Sequence, residues 1–238
     1  MKGLVVAIQF LTRLPTPRLT VSGEEFAHSI RWFPGAGIPI GLIVAGSGWA
    51  GLRIDGWTGA FAALAAWVVV TGALHLDGLG DMADASGAAH KDRERLLAVL
   101  ADPHIGSFGV TAIVLQLMAK LVLLHAVIEQ GQFAALACLP AAARIAPLFW
   151  TRWIAPLHDG LGARFRGAVR TGDLVVWSAL LIGAGFAFPA LLVAIPAAAL
   201  WGLWIKRAIG GISGDGHGAG IELVETALLL GLAMEAVL

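Results

Sequence analysis

The sequence predicts an all-α polytopic membrane protein, a helical bundle with about seven transmembrane helices, and three observations support this fold class. Only 13% of the 238 residues are charged, whereas a soluble domain has about a quarter. Hydrophobic residues make up 58% of the chain, and the mean hydropathy is +0.82. The few charges lie between long uncharged stretches, the longest of which covers 32 residues, from position 174 to 205.

Each uncharged or nearly uncharged stretch is interpreted as one span, except the longest, which is interpreted as two. As a single helix, that stretch would be about 48 Å long, against about 30 Å of bilayer hydrocarbon. Phe188-Pro189 is the expected break, because proline lacks an amide proton and disfavours helix before it. With residues 1–238 taken as one domain, the expected spans are 34–52, 56–74, 103–128, 130–151, 174–188, 189–205 and 221–238.

The N-terminal segment is predicted to be an interfacial helix. Residues 3–11 are largely apolar, but they are too few to cross a bilayer. No small-residue cleavage site of a signal peptide follows, and Pro15 and Pro17 come next instead. We therefore expect a short helix that lies in the membrane interface and ends before these prolines.

The basic residues predict the orientation of the helices. Thirteen of the sixteen Lys and Arg residues fall before the first span or in alternate connections, and Arg53 is the only base in an opposite connection. Because basic loops stay on the cytoplasmic side, the N-terminus and both acidic motifs described below are expected to face the cytoplasm. The thirteen are Lys2, Arg13, Arg18, Arg31, Lys91, Arg93, Arg95, Arg152, Arg164, Arg166, Arg170, Lys206 and Arg207.

The composition also excludes several classes of function. The sixteen acidic and sixteen basic residues cancel, so no basic field favours nucleic acid. Cys138 is the single cysteine, which leaves no disulfide framework and no cysteine-based metal site. The expected partners are therefore the lipid bilayer and small molecules.

Three aspartates in the second connection form the first candidate site. Asp77, Asp81 and Asp84 are spaced i, i+4 and i+7, so on a helix their carboxylates share one face, and no base lies among them. A divalent cation would relieve their repulsion, and oxygen ligands favour Mg²⁺ or Mn²⁺ over zinc. Mg²⁺ commonly shares its coordination with substrate phosphates, which points to diphosphate chemistry. The alternative is a solvated acidic turn at a helix N-terminus.

The sixth connection contains the second candidate site. Asp215, Glu222 and Glu225 lie in it, and the two glutamates share a helix face where the last span is expected to begin. Six glycines follow a Lys-Arg pair and predict a loop of exposed amides that can hold an anion. The alternative is a flexible loop whose two bases are only positive-inside anchors. The candidate anion ligands are Lys206, Arg207, Gly210, Gly211 and Gly214.

Asp102 and two bases inside the spans have two interpretations each. Asp102 precedes the third span, where it either caps the helix or lies beside a phosphate held at the helix N-terminus. Lys120 and Arg144 lie within the third and fourth spans. Each of them either snorkels or pairs with an acid such as Glu129, or else binds a phosphate. His75, next to the aspartates, is expected to pack or cap.

Many of these residues belong to motifs that resemble those of one enzyme family. The motifs cover nearly the whole chain and resemble cobalamin synthase, the adenosylcobinamide-GDP ribazoletransferase family. Gly80 stands where the family pattern has alanine, and this difference does not involve any of the acidic residues. The motifs are Thr12-Arg13-Leu14-Pro15-x-Pro17, Phe33-Pro34-x-x-Gly37, His75-Leu76-Asp77-Gly78-Leu79-x-Asp81-x-x-Asp84, Asp102-x-x-Ile105-Gly106-x-x-Gly109, Lys120, Lys206-Arg207, Gly210-Gly211-x-x-Gly214-Asp215 and Glu222-x-x-Glu225.

The resemblance implies a bacterial inner-membrane enzyme for the last assembly step of the cobalamin nucleotide loop. α-Ribazole, or its 5′-phosphate, would attack adenosylcobinamide-GDP and release GMP, giving adenosylcobalamin or its 5′-phosphate. In-line attack on a diphosphate requires alignment and charge neutralisation. We therefore expect Asp77, Asp81 and Asp84 to hold Mg²⁺, and Asp81 or Asp215 to accept the hydroxyl proton. Residues expected to bind substrate are Arg13, Asp102, Lys120, Lys206, Arg207, Gly210, Gly211, Gly214, Glu222 and Glu225.

Three other functions stay open at this point. Asp81-x-x-Asp84 partly fits a CDP-alcohol phosphotransferase, although Ala85 replaces its glycine and no Ala-Arg pair follows. Asp77-x-x-x-Asp81 partly fits a prenyltransferase, although a second aspartate-rich motif is absent. An ion-coupled transporter could use the same acids, but the sequence has no internal repeat. Association with other cobalamin-assembly enzymes or with a second copy of the chain is also left open.

Overall fold

The structure, a computed structural model, describes residues 2–88 and 92–235 and is built from helices. Within these residues there is no β-strand, and one isolated bridge joins Pro156 to Ile212. The all-α prediction is therefore confirmed. Two 3-10 helices cover Ser29–Trp32 and Pro189–Val193. The α-helices are α1 Lys2–Leu11, α2 Gly23–His28, α3 Phe33–Gly51, α4 Gly56–Thr71, α5 Leu74–Ala88, α6 Arg93–Leu100, α7 Ser107–Glu129, α8 Phe133–Ala143, α9 Ala146–Trp153, α10 Leu161–Arg164, α11 Thr171–Ala187, α12 Ala194–Ala208 and α13 Gly214–Glu235.

Several helical stretches are long and apolar enough to cross a membrane. Among the described residues five meet both conditions, and a sixth results if α4 and α5, which are bent by 85°, form one broken span. The multi-pass prediction is thus confirmed. The number seven stays a prediction, because α11, expected to be the fifth span, reaches only 17 residues. The five stretches are Gly23–Gly51, Ser107–Glu129, Phe133–Trp153, Pro189–Ala208 and Gly214–Glu235.

The long helix α7 shows how the bundle divides lipid-facing from protein-facing side chains. Its residues Leu115, Met118 and Val122 are exposed, whereas Gln116 and Lys120 on the other face are buried. In a bilayer, polar side chains are stable when they face the interior of the bundle and find partners there. The exposed apolar face of α7 therefore suits contact with lipid.

The N-terminal helix has the short length that the sequence predicts. α1 contains 10 residues, and the side chains of Val6, Ala7 and Leu11 are buried. The Thr12 hydroxyl donates to the carbonyl oxygen of Ile8 where the helix ends. The helix packs against α3 and the 3-10 helix that precedes α3. Its location at the membrane interface stays a prediction.

The predicted break at Phe188-Pro189 is confirmed. α11 ends at Ala187, a 3-10 helix begins at Pro189, and α12 follows from Ala194. Phe188 has φ −135° and ψ 81°, which is outside the helical region. The proline ring forces the preceding residue out of the helical conformation, so one long apolar stretch becomes two helices.

The last helix begins earlier than predicted, so the expected glycine loop is wrong for most of its length. α13 starts at Gly214 rather than at position 221. A β-carbon at Gly220 would come within 2.5 Å of both Trp150 and Trp201, and the indole N–H of Trp201 donates to the Gly216 carbonyl oxygen. These glycines make room for two tryptophans, and this packing outweighs the low helix propensity of glycine.

Candidate functional site

A sharp turn between α4 and α5 sets the position of the first acidic motif. Gly72 ends α4 with φ +61°, and Ala73 follows with φ +58°. Glycine adopts this left-handed conformation without steric cost, so it suits the end of α4. The Arg13 side chain lies against Gly72, and the Arg13 N–H donates to the Val70 carbonyl oxygen over 2.7 Å. The predicted phosphate ligand Arg13 is therefore exposed beside the start of α5.

α5 and α13 cross at close range, which brings the two acidic segments together. A β-carbon at Gly78 would lie 2.9 Å from both the Cα and the carbonyl oxygen of Asp215. One at Gly218 would lie 3.4 Å from the Cα of His75. Small residues allow this close approach of backbones between membrane helices. Asp215 is therefore a direct neighbour of the aspartates on α5.

Asp77, Asp81 and Asp215 form what we call the acidic cluster. The negative charges of Asp215, Asp77 and Asp84 act on Asp81, and Asp215 interacts in turn with His158 and Asp77. Asp77 is exposed, while Asp81 and Asp215 are half-buried. Across the described residues, no ion pair includes any of the three carboxylates. The one hydrogen bond to the cluster from another side chain comes, within the same residues, from the Ser213 hydroxyl to Asp215 over 3.3 Å.

The donor set of the acidic cluster fits a hard divalent cation. Carboxylates that lie together without a cationic partner repel one another, and Mg²⁺ and Mn²⁺ prefer oxygen donors of this kind. In the part of the chain that the structure describes, no three His, Cys, Asp or Glu side chains already surround a common point. Mg²⁺ is typically bound through one or two carboxylates and completes its coordination with water and substrate phosphates. The acidic cluster can therefore supply the protein ligands of such an ion.

Asp84, the third aspartate of the motif, occupies a different environment. Its carboxylate accepts hydrogen bonds from the N–H groups of Gly106 (2.7 Å) and Gly109 (2.9 Å) at the start of α7. β-Carbons at these two glycines would lie within 2.5 Å of its oxygens, so Gly106-x-x-Gly109 makes room for the carboxylate. Asp84 thus caps α7 from a neighbouring helix, a role that its spacing from Asp81 does not indicate.

Asp102 does not cap α7, and it is not among the charged residues that act on Asp81 or Asp215. It accepts hydrogen bonds from the backbone N–H of His104 (3.0 Å) and from the His104 ring (2.7 Å). These bonds hold the pKa of the exposed Asp102 carboxyl below its usual value. The local turn therefore accounts for Asp102, and the cap predicted for it is supplied by Asp84.

The connection from α12 to α13 is held by backbone pairing with a second loop. The N–H of Leu157 donates to the Ile212 carbonyl oxygen, and the N–H of Ile212 donates to that of Ala155. Gly210 has φ +85°, and its N–H donates to Ile205 at the end of α12. Some backbone N–H groups of the predicted anion-binding loop thus already donate hydrogen bonds within the protein. Of the predicted anion ligands in this connection, Gly211 is buried. The exposed ones are Lys206, Arg207, Gly210 and Gly214.

Glu222 and Glu225 take part in a buried ion-pair network with two bases. Lys120 Nζ lies 2.6 Å from Glu222 Oε2 and 2.6 Å from Glu225 Oε2, and Arg144 NH1 lies 2.7 Å from Glu225 Oε1. All four side chains are at most 5% exposed. The network joins α7, the C-terminal end of α8 and α13. Of the two interpretations of Lys120 and Arg144, it supports pairing with acids rather than phosphate binding.

Several residues that hold this region together were not predicted from the sequence. Gln116 donates from Nε2 to Glu222 Oε2 over 2.9 Å and to the Thr226 hydroxyl over 2.8 Å. The His217 ring contacts the Thr151 hydroxyl at 3.0 Å and so ties the start of α13 to α9. Gln116 stands four residues before Lys120, a helical spacing that could have indicated a shared face. His217 and Thr151 are 66 residues apart, and no local pattern connects them.

The fold and the acidic cluster together define a class of protein. It is a multi-pass α-helical membrane protein in which carboxylates that form no ion pair among the described residues lie where α5, part of a bent helix pair, crosses α13. Intramembrane or membrane-edge carboxylates without structural partners are characteristic of functional sites.

Comparisons with known proteins identify the family. Residues 3–233 match the family described as Cobalamin-5-phosphate synthase. The chain is 60% identical to adenosylcobinamide-GDP ribazoletransferase of Novosphingobium aromaticivorans, over 98% of this chain and 97% of the relative. It is 47% identical to the enzyme of that name from Thiobacillus denitrificans (97% and 94% covered) and 48% identical to that from Laribacter hongkongensis (97% and 96%). No solved structure matches the chain.

The chain therefore belongs to the Cobalamin-5-phosphate synthase family and is a transferase of cobalamin biosynthesis. The resemblance drawn from its motifs is confirmed. The family acts on small molecules, adenosylcobinamide-GDP and ribazole, in the assembly of the cobalamin nucleotide loop.

Proposed function

We propose that the chain joins adenosylcobinamide-GDP to α-ribazole, or to α-ribazole 5′-phosphate, and releases GMP. A ribazole hydroxyl oxygen attacks the phosphorus on the cobinamide side, and a new P–O bond forms as the P–O bond to GMP breaks. The names of the relatives supply the substrates. The observation that carries the proposal is the meeting of Asp77 and Asp81 on α5 with Asp215 on α13.

The acidic cluster is proposed to hold Mg²⁺, or Mn²⁺ in its place. When bound, the ion would neutralise the diphosphate and the departing GMP. Asp77, Asp81 and Asp215 are the proposed ligands because their carboxylates form no ion pair among the described residues. Asp84 is assigned an indirect role, since it is buried and its carboxylate holds the N–H groups of Gly106 and Gly109 at the start of α7.

One carboxylate of the acidic cluster is proposed to accept the proton of the attacking hydroxyl. Asp81 and Asp215 are the candidates, since both are half-buried and neither forms an ion pair within the described residues. A carboxylate with available lone pairs at the edge of the site can act as a general base. The proton moves to a carboxylate oxygen as the new P–O bond forms.

Exposed bases and amides near the acidic cluster are proposed to bind the phosphates. Arg13 lies beside the first turn of α5, and Lys206 and Arg207 end the helix that leads to Asp215. Gly214, which is exposed where α13 begins, would add a backbone contact, whereas the Gly210 N–H already donates to Ile205 and Gly211 is buried. Lys120, Glu222 and Glu225 are not included, because they are buried and paired with one another.

The proposed location is the bacterial inner membrane, with the N-terminus and the active site on the cytoplasmic side. Thirteen of the sixteen bases lie before the first predicted span or in alternate connections, as the positive-inside rule requires. Arg13 and the Lys206-Arg207 pair belong to this group, so the proposed phosphate ligands share the side of the acidic cluster.

Release of GMP tests this proposal. Membranes that contain the chain are expected to release GMP from adenosylcobinamide-GDP in the presence of α-ribazole and Mg²⁺. Asp81→Asn should reduce the rate about 100-fold or more, because general base catalysis contributes roughly 10²–10⁴-fold. Asp55→Asn is the matched control, since Asp55 caps the opposite end of α4 and asparagine also caps helices. Absence of GMP with the unchanged chain, or near-normal release by Asp81→Asn, would contradict the proposal.

A further inference from the structure

The buried ion-pair network is balanced in charge, and each of its carboxylates lies within ion-pair distance of a base. Two bases, Lys120 and Arg144, face two acids, Glu222 and Glu225, and every carboxylate–base distance is between 2.6 and 2.7 Å. Burying charges in this way costs desolvation energy, and well-packed apolar side chains often give equal or greater stability. Stability alone therefore does not explain why four charges are placed here.

The network touches both helices that carry the acidic cluster. On α13, Glu222 lies seven residues after Asp215, about 10 Å along a helix that rises about 1.5 Å per residue. On α5, the Nδ1 atom of His75 lies 3.3 Å from Arg144 NH2, and His75 precedes Asp77 by two residues. The network therefore links α5 to α13, and it contacts each helix close to its acidic segment.

We propose that Lys120 and Arg144 are positioning residues, which fix the register of α13 against α5 and so hold Asp215 at its place beside Asp77 and Asp81. This inference rests on the proposed function, because it assigns the acidic cluster to the reaction. Discrete ion pairs specify one register of a helix where apolar packing alone tolerates several. A carboxylate misplaced by about 1 Å costs about 100-fold in rate.

Charge-compensating substitutions separate positioning from substrate binding. Lys120→Met leaves Glu222 and Glu225 facing Arg144 alone, so one buried negative charge is left over. Adding Glu222→Gln removes that charge and restores neutrality, and the glutamine can still bond with Gln116. We expect Lys120→Met to lower kcat about 10- to 100-fold with KM within about twofold of normal. We expect the double variant to recover to within about threefold of the unchanged chain.

Arg144→Lys supplies a second variant if Lys120→Met does not insert into the membrane. It keeps the charge opposite Glu225 but removes the guanidinium fork that also contacts the Pro140 carbonyl oxygen and His75. The expected result is again a lower kcat with an unchanged KM. Thermal unfolding of each variant in detergent gives a readout that does not depend on the reaction, and there too the double variant should recover.

The outcomes separate the two proposals. If the unchanged chain releases no GMP, the proposed function fails, while recovery in the unfolding measurement still establishes the coupling of Lys120 with Glu222. If the unchanged chain is active but Lys120→Met raises KM and Glu222→Gln does not restore the rate, Lys120 contacts substrate and the positioning role is overturned. A Lys120→Met chain with normal kcat and normal unfolding overturns it as well.

Discussion

At the scale of single residues, three aspartates that are equivalent by spacing differ in what surrounds them. Asp77 is exposed and Asp81 half-buried, and no base among the described residues neutralises either. Asp84 is only 8% exposed and accepts two backbone N–H groups of α7. One motif therefore serves two purposes: two carboxylates face the site, and the third fixes the helix next to it.

Removal of the Asp84 carboxylate is expected to destabilise the protein. Asp84→Ala leaves the N–H groups of Gly106 and Gly109 without their acceptor, and loss of a helix cap costs about 1 kcal/mol, at most about 2. Asp77→Ala is the control, because Asp77 is exposed and its removal relieves repulsion within the acidic cluster. Thermal unfolding in detergent should show a lower midpoint for Asp84→Ala only. Equal midpoints for Asp84→Ala and the unchanged chain would refute the capping role.

At the scale of helices, the site depends on how closely α5 approaches α13. The bend at Gly72 turns the chain by 85° after α4, and Gly78 then lies on the backbone of Asp215. Neither glycine contributes a chemical group. Each lacks a side chain where a neighbouring residue needs the space. At Gly78 this allows the backbones of α5 and α13 to touch, and that contact sets the distance between the two acidic segments.

A methyl group at this crossing should separate the two helices. Gly78→Ala places a β-carbon 2.9 Å from the Asp215 backbone, which cannot move aside as a flexible side chain would. We expect a rate of GMP release about 10- to 100-fold lower, because displacements of about 1 Å misalign a reaction centre. Gly46→Ala on α3 is the control, since nothing lies within 4 Å of its added carbon. Activity of Gly78→Ala equal to that of Gly46→Ala would show that the close crossing is not needed.

Most helices could be predicted from local patterns, and the errors occurred where packing overrides them. The break at Pro189 and the short N-terminal helix follow from proline chemistry and segment length. The start of α13 could not be predicted, because its glycines indicate a loop locally but pack against Trp150 and Trp201 in the fold. Composition alone does not determine the number of spans, because α11 has 17 residues, near the lower limit, and whether such a helix spans depends on tilt and bilayer thickness.

At the scale of the whole molecule, the acidic cluster and the ion-pair network beside it both join residues that are far apart in sequence. Lys120 and Glu225 are 105 residues apart, and Arg144 and Glu225 are 81 apart. Both acidic segments belong to connections that carry Lys and Arg residues, so a shared side of the membrane could be predicted from the sequence. The sequence could not show which charges pair with each other, because pairing is decided by the contacts of α13 with α5, α7 and α8.

Binding of Mn²⁺ to the purified chain, followed by electron paramagnetic resonance, tests the shared metal site most directly. We expect the unchanged chain to bind the ion, and we expect Asp81→Asn and Asp215→Asn each to weaken binding about 10-fold or more, as loss of ligand-sphere groups does. Asp55→Asn should bind as the unchanged chain does. If Asp81→Asn abolishes binding while Asp215→Asn leaves it unaltered, the two helices do not share one metal centre, and the account is contradicted.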